Sequence, residues 1–386
     1  MKGLLLSIFV FFGFGLYAQS EKDMLEKAKS LLEEKDTVKA IHEYVNILTR
    51  YPQSLQATVG LADIYEGQRD YKTAIQYINV SLDVIDNRIN DFPNYAFERD
   101  KAVLFYMKGK VRNKQGRHED ALDALETALE FNPAFVDAYI EQSRTYFVMN
   151  DFPAAESVLR KGLYKFPEEW KVVYNLGVLL MSVEATDSAM AYLYKAVEIN
   201  PDLPAPYFFL GQHSFENGDY VQAIDYYSFY LNAYPESLQV LYNRATCYMN
   251  TEDFYAAISD WSRFLKQDKD NAEVYRNRGM ARMHLNDLEE AIEDFDTSIK
   301  LNPKSNYAYV NRGFSNYLLR NYGQALNDFQ KVNSLYPEYT YGYYYKALVY
   351  QKQRKKRKAC ENLKIAISHG FEENNIDEDL KKMCGL

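Results

Sequence analysis

A proline recurs every 34 residues along most of this chain. From Pro303 the step lands on Pro337 in one direction and on Pro235, Pro201, Pro167 and Pro133 in the other, with Lys269 breaking the series. A fixed period of this length marks a stack of short supersecondary units, each able to bury its apolar face only against the next. A stack has no single core to outgrow, so 386 residues need not divide into several globular domains.

The 34-residue unit is counted here from Ala272, position 1, to Ser305, position 34. Position 20 then holds Ala40, Ala74, Ala121, Ala155, Ala189, Ala223, Ala257, Ala291, Ala325 and Ala359. Position 8 is always small: alanine, glycine or serine from Ala28 to Ala347. Two small sites twelve apart suit two antiparallel helices whose backbones approach closely, where a larger side chain would force strain. Position 16 is aspartate at Asp36, Asp70, Asp151, Asp219, Asp253 and Asp287, and asparagine at Asn321. These polar residues precede apolar-periodic runs and predict helix N-caps. The unit therefore reads as helix A over about positions 1–14, a tight turn, helix B over about 16–30, and an exit marked by proline.

These residues resemble the tetratricopeptide repeat. Tyr275, Gly279, Ala291, Phe295 and Pro303 stand at its positions 4, 8, 20, 24 and 32, and a neighbouring unit keeps Leu176, Gly177, Ala189, Ala196 and Pro201. The pattern departs at positions 7 and 11, which hold Arg278 and Arg282. The resemblance implies an all-α, right-handed α-solenoid of about ten helical hairpins, with a concave groove lined by the A helices and a role in binding protein segments.

Along the chain, residues 1–18 form a signal peptide by pattern: Lys2, an apolar run from Leu4 to Leu16, then Tyr17-Ala18 before Gln19. This predicts an exported chain of a periplasm or envelope, and the run is too short to span a bilayer comfortably. Residues 19–101 hold two units and an insertion over 89–101 that contains Pro93. Residues 95–101 are expected to lengthen the following helix A. Residues 102–373 continue without a slip, ending with a basic run over 352–358. In 374–386, Ile376, Leu380 and Met383 have helical spacing and predict a capping helix that closes the last unit.

The net charge of −9 disfavours a nucleic-acid ligand, which usually meets a basic footprint. His42, His118, His213, His284 and His369 lie in different units, and no Cys-x-x-Cys pair, Gly-rich phosphate loop or nucleophile motif occurs, so neither catalysis nor a metal or other cofactor is expected. The mature chain has no further apolar run of spanning length. What remains is a protein or peptide partner. In the family, positions 2, 5, 9 and 12 of helix A face the groove. Position 12 reads Phe147, Met181, Phe215, Met249, Met283 and Tyr317, and position 5 includes Tyr106, Tyr174, Phe208 and Tyr242. Methionines and rings together make an adaptable apolar surface, although the same residues can serve to pack one hairpin on another. Asn175, Asn243, Asn277 and Asn311 at position 6 are placed either to reach a bound backbone or to bond the neighbouring helix. No lysine stands at position 5 and no asparagine at position 9, so the clamp that grips chaperone C-terminal carboxylates is excluded. Export to an oxidising compartment further predicts a disulfide between Cys360 and Cys384, stapling helix B of the last unit to the cap, with Cys247 left as a buried thiol.

Overall fold

A computed structural model of the chain describes residues 21–88 and 97–386. The proposed leader, residues 1–18, and residues 89–96 of the insertion lie outside them. The described residues are helical hairpins. Helix A of the ten repeats is α1 (21–33), α3 (Leu55–Gly67), α5 (Phe97–Lys114), α7 (Val136–Val148), α9 (Trp170–Ser182), α11 (Pro204–Glu216), α13 (Leu238–Asn250), α15 (Ala272–His284), α17 (Asn306–Leu318) and α19 (Thr340–Lys352). Helix B is α2 (Thr37–Arg50), α4 (Tyr71–Arg88), α6 (His118–Phe131), α8 (Phe152–Lys165), α10 (Thr186–Ile199), α12 (Tyr220–Ala233), α14 (Phe254–Gln267), α16 (Leu288–Leu301), α18 (Tyr322–Leu335) and α20 (Lys356–Ser368). A short 3-10 turn, Glu373–Asn375, and α21 (Glu378–Cys384) close the chain. The hairpins group into two compact bodies, Met1–Pro201 and Asp202–Leu386.

Helix A occupies positions 1–13 and helix B positions 17–30, slightly tighter than the spacing of apolar residues predicts. The turn between them explains the difference. Position 15 adopts a left-handed backbone in every repeat, at Lys35, Arg69, Asn150, Glu184, Glu252, Asn286, Arg320 and Arg354 and at Gly116 and Gly218. With that one residue reversed, the N–H of position 16 donates to the carbonyl of position 11, as in Asp151 to Tyr146 at 2.9 Å and Asp219 to Ser214 at 2.8 Å. This is the Schellman closure of a helix C-terminus. Of the N-cap candidates, Asp36, Asp70, Asp151 and Asp253 accept a first-turn N–H at 3.1 Å. Asp219, Asp287 and Asn321 do not. Their ψ angles are 62°, 67° and 58°, against 69°, 74° and 73° at Asp36, Asp151 and Asp253. At position 31, Tyr51, Asn132 and Asn302 have φ of −127°, −139° and −131°. The proline that immediately follows each disfavours further helix. Asp268, before Lys269, keeps φ −118°, so packing enforces the same exit where proline is missing.

The small columns meet large partners within each hairpin. All ten alanines of position 20 are fully buried. A Cβ on Gly109, Gly211, Gly279 or Gly313 would come within 2.6–2.8 Å of Leu125, Tyr227, Phe295 or Phe329, which stand at position 24, and Gly177 is 3.0 Å from Leu193 by the same construction. Position 8 therefore gives way to a bulky position 24, while position 20 admits the backbone of helix A: the same Cβ on Gly109 would lie 3.2 Å from the Ala121 carbonyl. Residues Phe97–Lys101 form the first turn of α5, so this part of the insertion lengthens helix A.

The last repeat is closed by the cap. Phe371 stacks on Tyr344 with centroids 4.2 Å apart, and Ile376 and Leu380 are buried beside Leu363 and Ala366. The Tyr344 hydroxyl donates to the Asn375 carbonyl and accepts from the Asp377 N–H, each at 3.3 Å. Cys360 and Cys384 are joined, with Cα atoms 5.4 Å apart. Cys247 is a buried free thiol, which desolvation pushes up to about 12.

Candidate partner-binding face

The A helices carry the residues singled out by sequence, and each body presents its own set. In the N-terminal body, Tyr106, Tyr174, Asn175 and Met181 are half-buried and Phe147 is exposed. In the C-terminal body, Phe208, Phe215, Tyr242, Asn243, Met249, Asn277, Met283, Asn311 and Tyr317 are all half-buried. Position 12 leans on the first residue of helix B in its own hairpin: Phe147 on Phe152 at 5.4 Å, Phe215 on Tyr220 at 6.0 Å and Tyr317 on Tyr322 at 6.2 Å. Position 5 leans on position 27, Phe208 on Tyr230 at 5.6 Å and Tyr242 on Phe264 at 6.4 Å. Tyr106 meets Phe135 at 4.9 Å. Each ring thus packs on one side and keeps another side open, which is how a pre-formed apolar surface is held in place. Burial pushes the Tyr106 phenol up to about 12 and raises those of Tyr242 and Tyr317, so these hydroxyls are neutral donors near pH 7.

Of the position 6 amides, Asn243 and Asn277 bond a neighbouring helix and Asn175 bonds its own. Asn243 donates to Gln212 Oε1 at 3.0 Å and to the Tyr227 hydroxyl at 3.3 Å, and Asn277 donates to the Tyr242 hydroxyl at 3.4 Å, so both bond the preceding repeat. Asn175 donates to the Lys171 carbonyl in its own helix at 2.7 Å.

Two features escaped the sequence reading. The first is an ionic ladder in the C-terminal body. Arg244, Arg278 and Arg312, all at position 7, fork onto Asp260, Asp294 and Asp328 at position 23 with N–O distances of 2.5–3.0 Å. Each also donates to position 25 of the preceding repeat: Ser228, Ser262 and Asp296. Arg282 adds a second guanidinium to Asp294 at 2.8 Å. The sequence signal was a threefold Arg-x15-Asp spacing, visible only once the units are aligned in columns. Burial raises the Asp328 carboxyl against the opposing pull of Arg312. The second feature is the character of the first A helices. Glu66 is buried against Lys114, with Lys110 at 3.8 Å, and Glu141 accepts from Asn113 at 3.1 Å and Arg144 at 2.9 Å. Beside them a cleft between α1 and α3 is lined by Lys29, Leu32, Leu55, Val59 and Asp63. Gly60 lies over the Tyr44 ring there, which leaves no room for a Cβ. The A-helix surface is ionic in the first repeats and aromatic, thioether and amide in the C-terminal body.

The geometry defines a class: a stack of antiparallel helical hairpins, with small residues at the crossing and a left-handed turn in each, offering a prearranged surface on its A helices. Within that class this chain belongs to the tetratricopeptide repeat family, whose signature matches residues 25–88, 113–177, 171–203 and 272–305. Among relatives, it is 26% identical over 162 residues to the BBSome complex member BBS4 homolog of Drosophila melanogaster, covering 39% of this chain and 33% of that protein. It is 25% identical over 103 residues to the cell division cycle protein 27 homolog of Caenorhabditis elegans, covering 27% and 13%. The chain spans a third or less of the length of these relatives. Similar solved structures include a tetratricopeptide repeat protein from Parabacteroides merdae, with 19% identity, TM-score 0.39, and 65% and 97% of the two chains covered. Another is the anaphase-promoting complex hetero-tetramer Cut9-Hcn1, with 13% identity, TM-score 0.40, and 96% and 97% covered. Among the described residues no helix is long and apolar enough to cross a membrane.

Proposed function

We propose that this chain is a non-catalytic scaffold of a bacterial cell envelope, exported by its leader, and that the A-helix surface of its C-terminal body receives a segment of a partner protein. The observation that carries the reading is the partial exposure of Phe208, Phe215, Tyr242, Met249, Met283 and Tyr317, with the four rings each packed on a ring of their own hairpin. Rings held this way give an interface its anchors with little ordering cost. The similarity to a BBSome complex member, part of a multiprotein assembly, supports the same reading.

The test is affinity capture on the purified exported chain from its native envelope fraction, repeated with Phe215→Ala/Met249→Ala. A discrete protein partner retained by the wild type and lost by the folded double variant supports the reading. Unchanged retention by that variant moves the contact elsewhere. A second reading places the contact on the outer faces, as in an assembly factor of an envelope complex. It is favoured by the exposure of Tyr164, Tyr255 and Val221 on the B helices, at 90%, 74% and 68%. Loss of the partner in Tyr164→Ala/Tyr255→Ala, with Phe215 and Met249 intact, would select it.

A further inference from the structure

The A-to-B turns of the C-terminal body lie along one edge of its stack. Helix α11 packs on α13, α15 on α17 and α17 on α19, and every turn repeats the same left-handed step. Charge on that edge is sorted. Over positions 13–19, the first three turns carry Glu216 and Asp219, then Glu252 and Asp253, then Asp287, Glu289 and Glu290, with no lysine or arginine among them. The last two carry Arg320, Lys352 and the run 354–358, with no aspartate or glutamate. All of these side chains are exposed. Among the described residues, Arg357 is the one member of this set with a carboxylate partner, Glu361 at 3.6 Å.

Sorting like charges onto adjacent turns costs self-repulsion in the isolated chain, and it sets up potentials of opposite sign at the two ends of one edge. We propose that this edge docks a second copy of the chain, antiparallel about a two-fold axis between the third and fourth turns. The second and third turns of each copy, both acidic, then face the fifth and fourth turns of the other, both basic, and the first turn lies outside the contact. A two-fold contact uses one surface twice and needs that surface to complement itself. Over the second to fifth turns, five negative groups beside seven positive ones meet the requirement. An unrelated acidic partner, or an anionic lipid surface, would match the basic turns and leave the acidic ones unanswered. Because every contributing charge is exposed, the association is governed by screening, whose range falls from about 14 Å at 0.05 M salt to about 4 Å at 0.5 M.

The experiment is sedimentation velocity on the full exported chain across that salt range, with two charge-reversed variants. Dimers are expected at low salt, with affinity falling about tenfold or more by the high end. Lys355→Glu/Lys356→Glu/Arg357→Glu makes most of the contacting edge acidic, and Glu252→Lys/Glu289→Lys/Glu290→Lys makes most of it basic. Each alone is expected to be monomeric with unchanged helical circular dichroism, and an equimolar mixture is expected to restore the dimer. A wild type that stays monomeric at low salt, a dimer indifferent to both triples, or folded variants that fail to pair when mixed would overturn the proposal. Retention of a monomeric wild type on phosphatidylglycerol vesicles would also overturn it and give the basic turns to a membrane surface.

Discussion

The hairpin α9–α10 in the N-terminal body and the hairpin α15–α16 in the C-terminal body have the same helix lengths, the same turn and the same small crossing residues, yet they are filled with opposite chemistry. In the first, Leu176 at position 7 is fully buried beside Gly177, and Leu193 fills position 24. In the second, Arg278 takes the place of that leucine and forks onto Asp294 beside Phe295. The backbone is thus indifferent to the polarity of position 7, provided that position 23 supplies a carboxylate when position 7 supplies a guanidinium. What it does not tolerate is bulk at positions 8 and 20. An ionic contact of this sort adds little net stability over an apolar one, but it is costly to break from one side.

That asymmetry gives the largest expected effect. Asp294→Asn removes the carboxylate that both Arg278 and Arg282 face and should destabilise the chain by about 3–5 kcal/mol. Tyr192→Asn, at the equivalent position of the apolar hairpin and only half-buried, should cost roughly 1 kcal/mol. Urea denaturation of both variants checks this, and equal losses would break the comparison.

The last repeat differs from both hairpins because a cap replaces its neighbour. Reducing the Cys360–Cys384 bond, which closes a span of 24 residues, should cost about 3 kcal/mol and be felt first in α20 and α21. Hydrogen exchange with and without reductant would show it. Iodoacetamide at pH 8 should leave Cys247 unmodified until denaturant is added, because its thiol, pushed up to about 12, is both buried and protonated.

The crossing itself should grade with the size of position 24. Gly211→Ala would set a Cβ 2.6 Å from the Tyr227 ring and is expected to cost about 1–3 kcal/mol. Gly177→Ala, where Leu193 is 3.0 Å away and can shift, should cost less than half as much. Thermal unfolding midpoints order the two, and the reverse order would show that the ring yields more readily than the leucine.

The smallest effect is a gain. Glu184→Gly relieves a left-handed residue with φ 61° and should stabilise by about 0.4–1 kcal/mol. Asn286→Gly, at φ 64°, should gain less, since asparagine tolerates that region.

The period, the alanine column and the glycines were enough to read the hairpins, because those constraints act on backbone spacing and repeat in every unit. The left-handed residue at position 15 was hidden, since six of its ten occupants are ordinary side chains such as Lys35 and Arg354 that give no conformational signal. The Arg–Asp ladder was hidden for a different reason: its partners are sixteen residues apart and on different helices, so no local window contains both. Of the candidate face, residue types were legible, but the sides on which Phe215 or Tyr242 are held were not, because those depend on Tyr220 and Phe264 across the hairpin.

The recurring left-handed step also decides where this molecule can change length. A three-residue link whose middle member must reverse direction works as a gauge. One residue more or fewer would rotate helix B by about 100° and turn its alanine away from helix A. The passage from one hairpin to the next has no such gauge, and the one slip in the register, after residue 88, falls there. Lineages of this chain can therefore lengthen it by whole hairpins or widen it between hairpins. An epitope or reporter should likewise be threaded into a B-to-A passage such as 303–305 and kept out of turns such as 285–287.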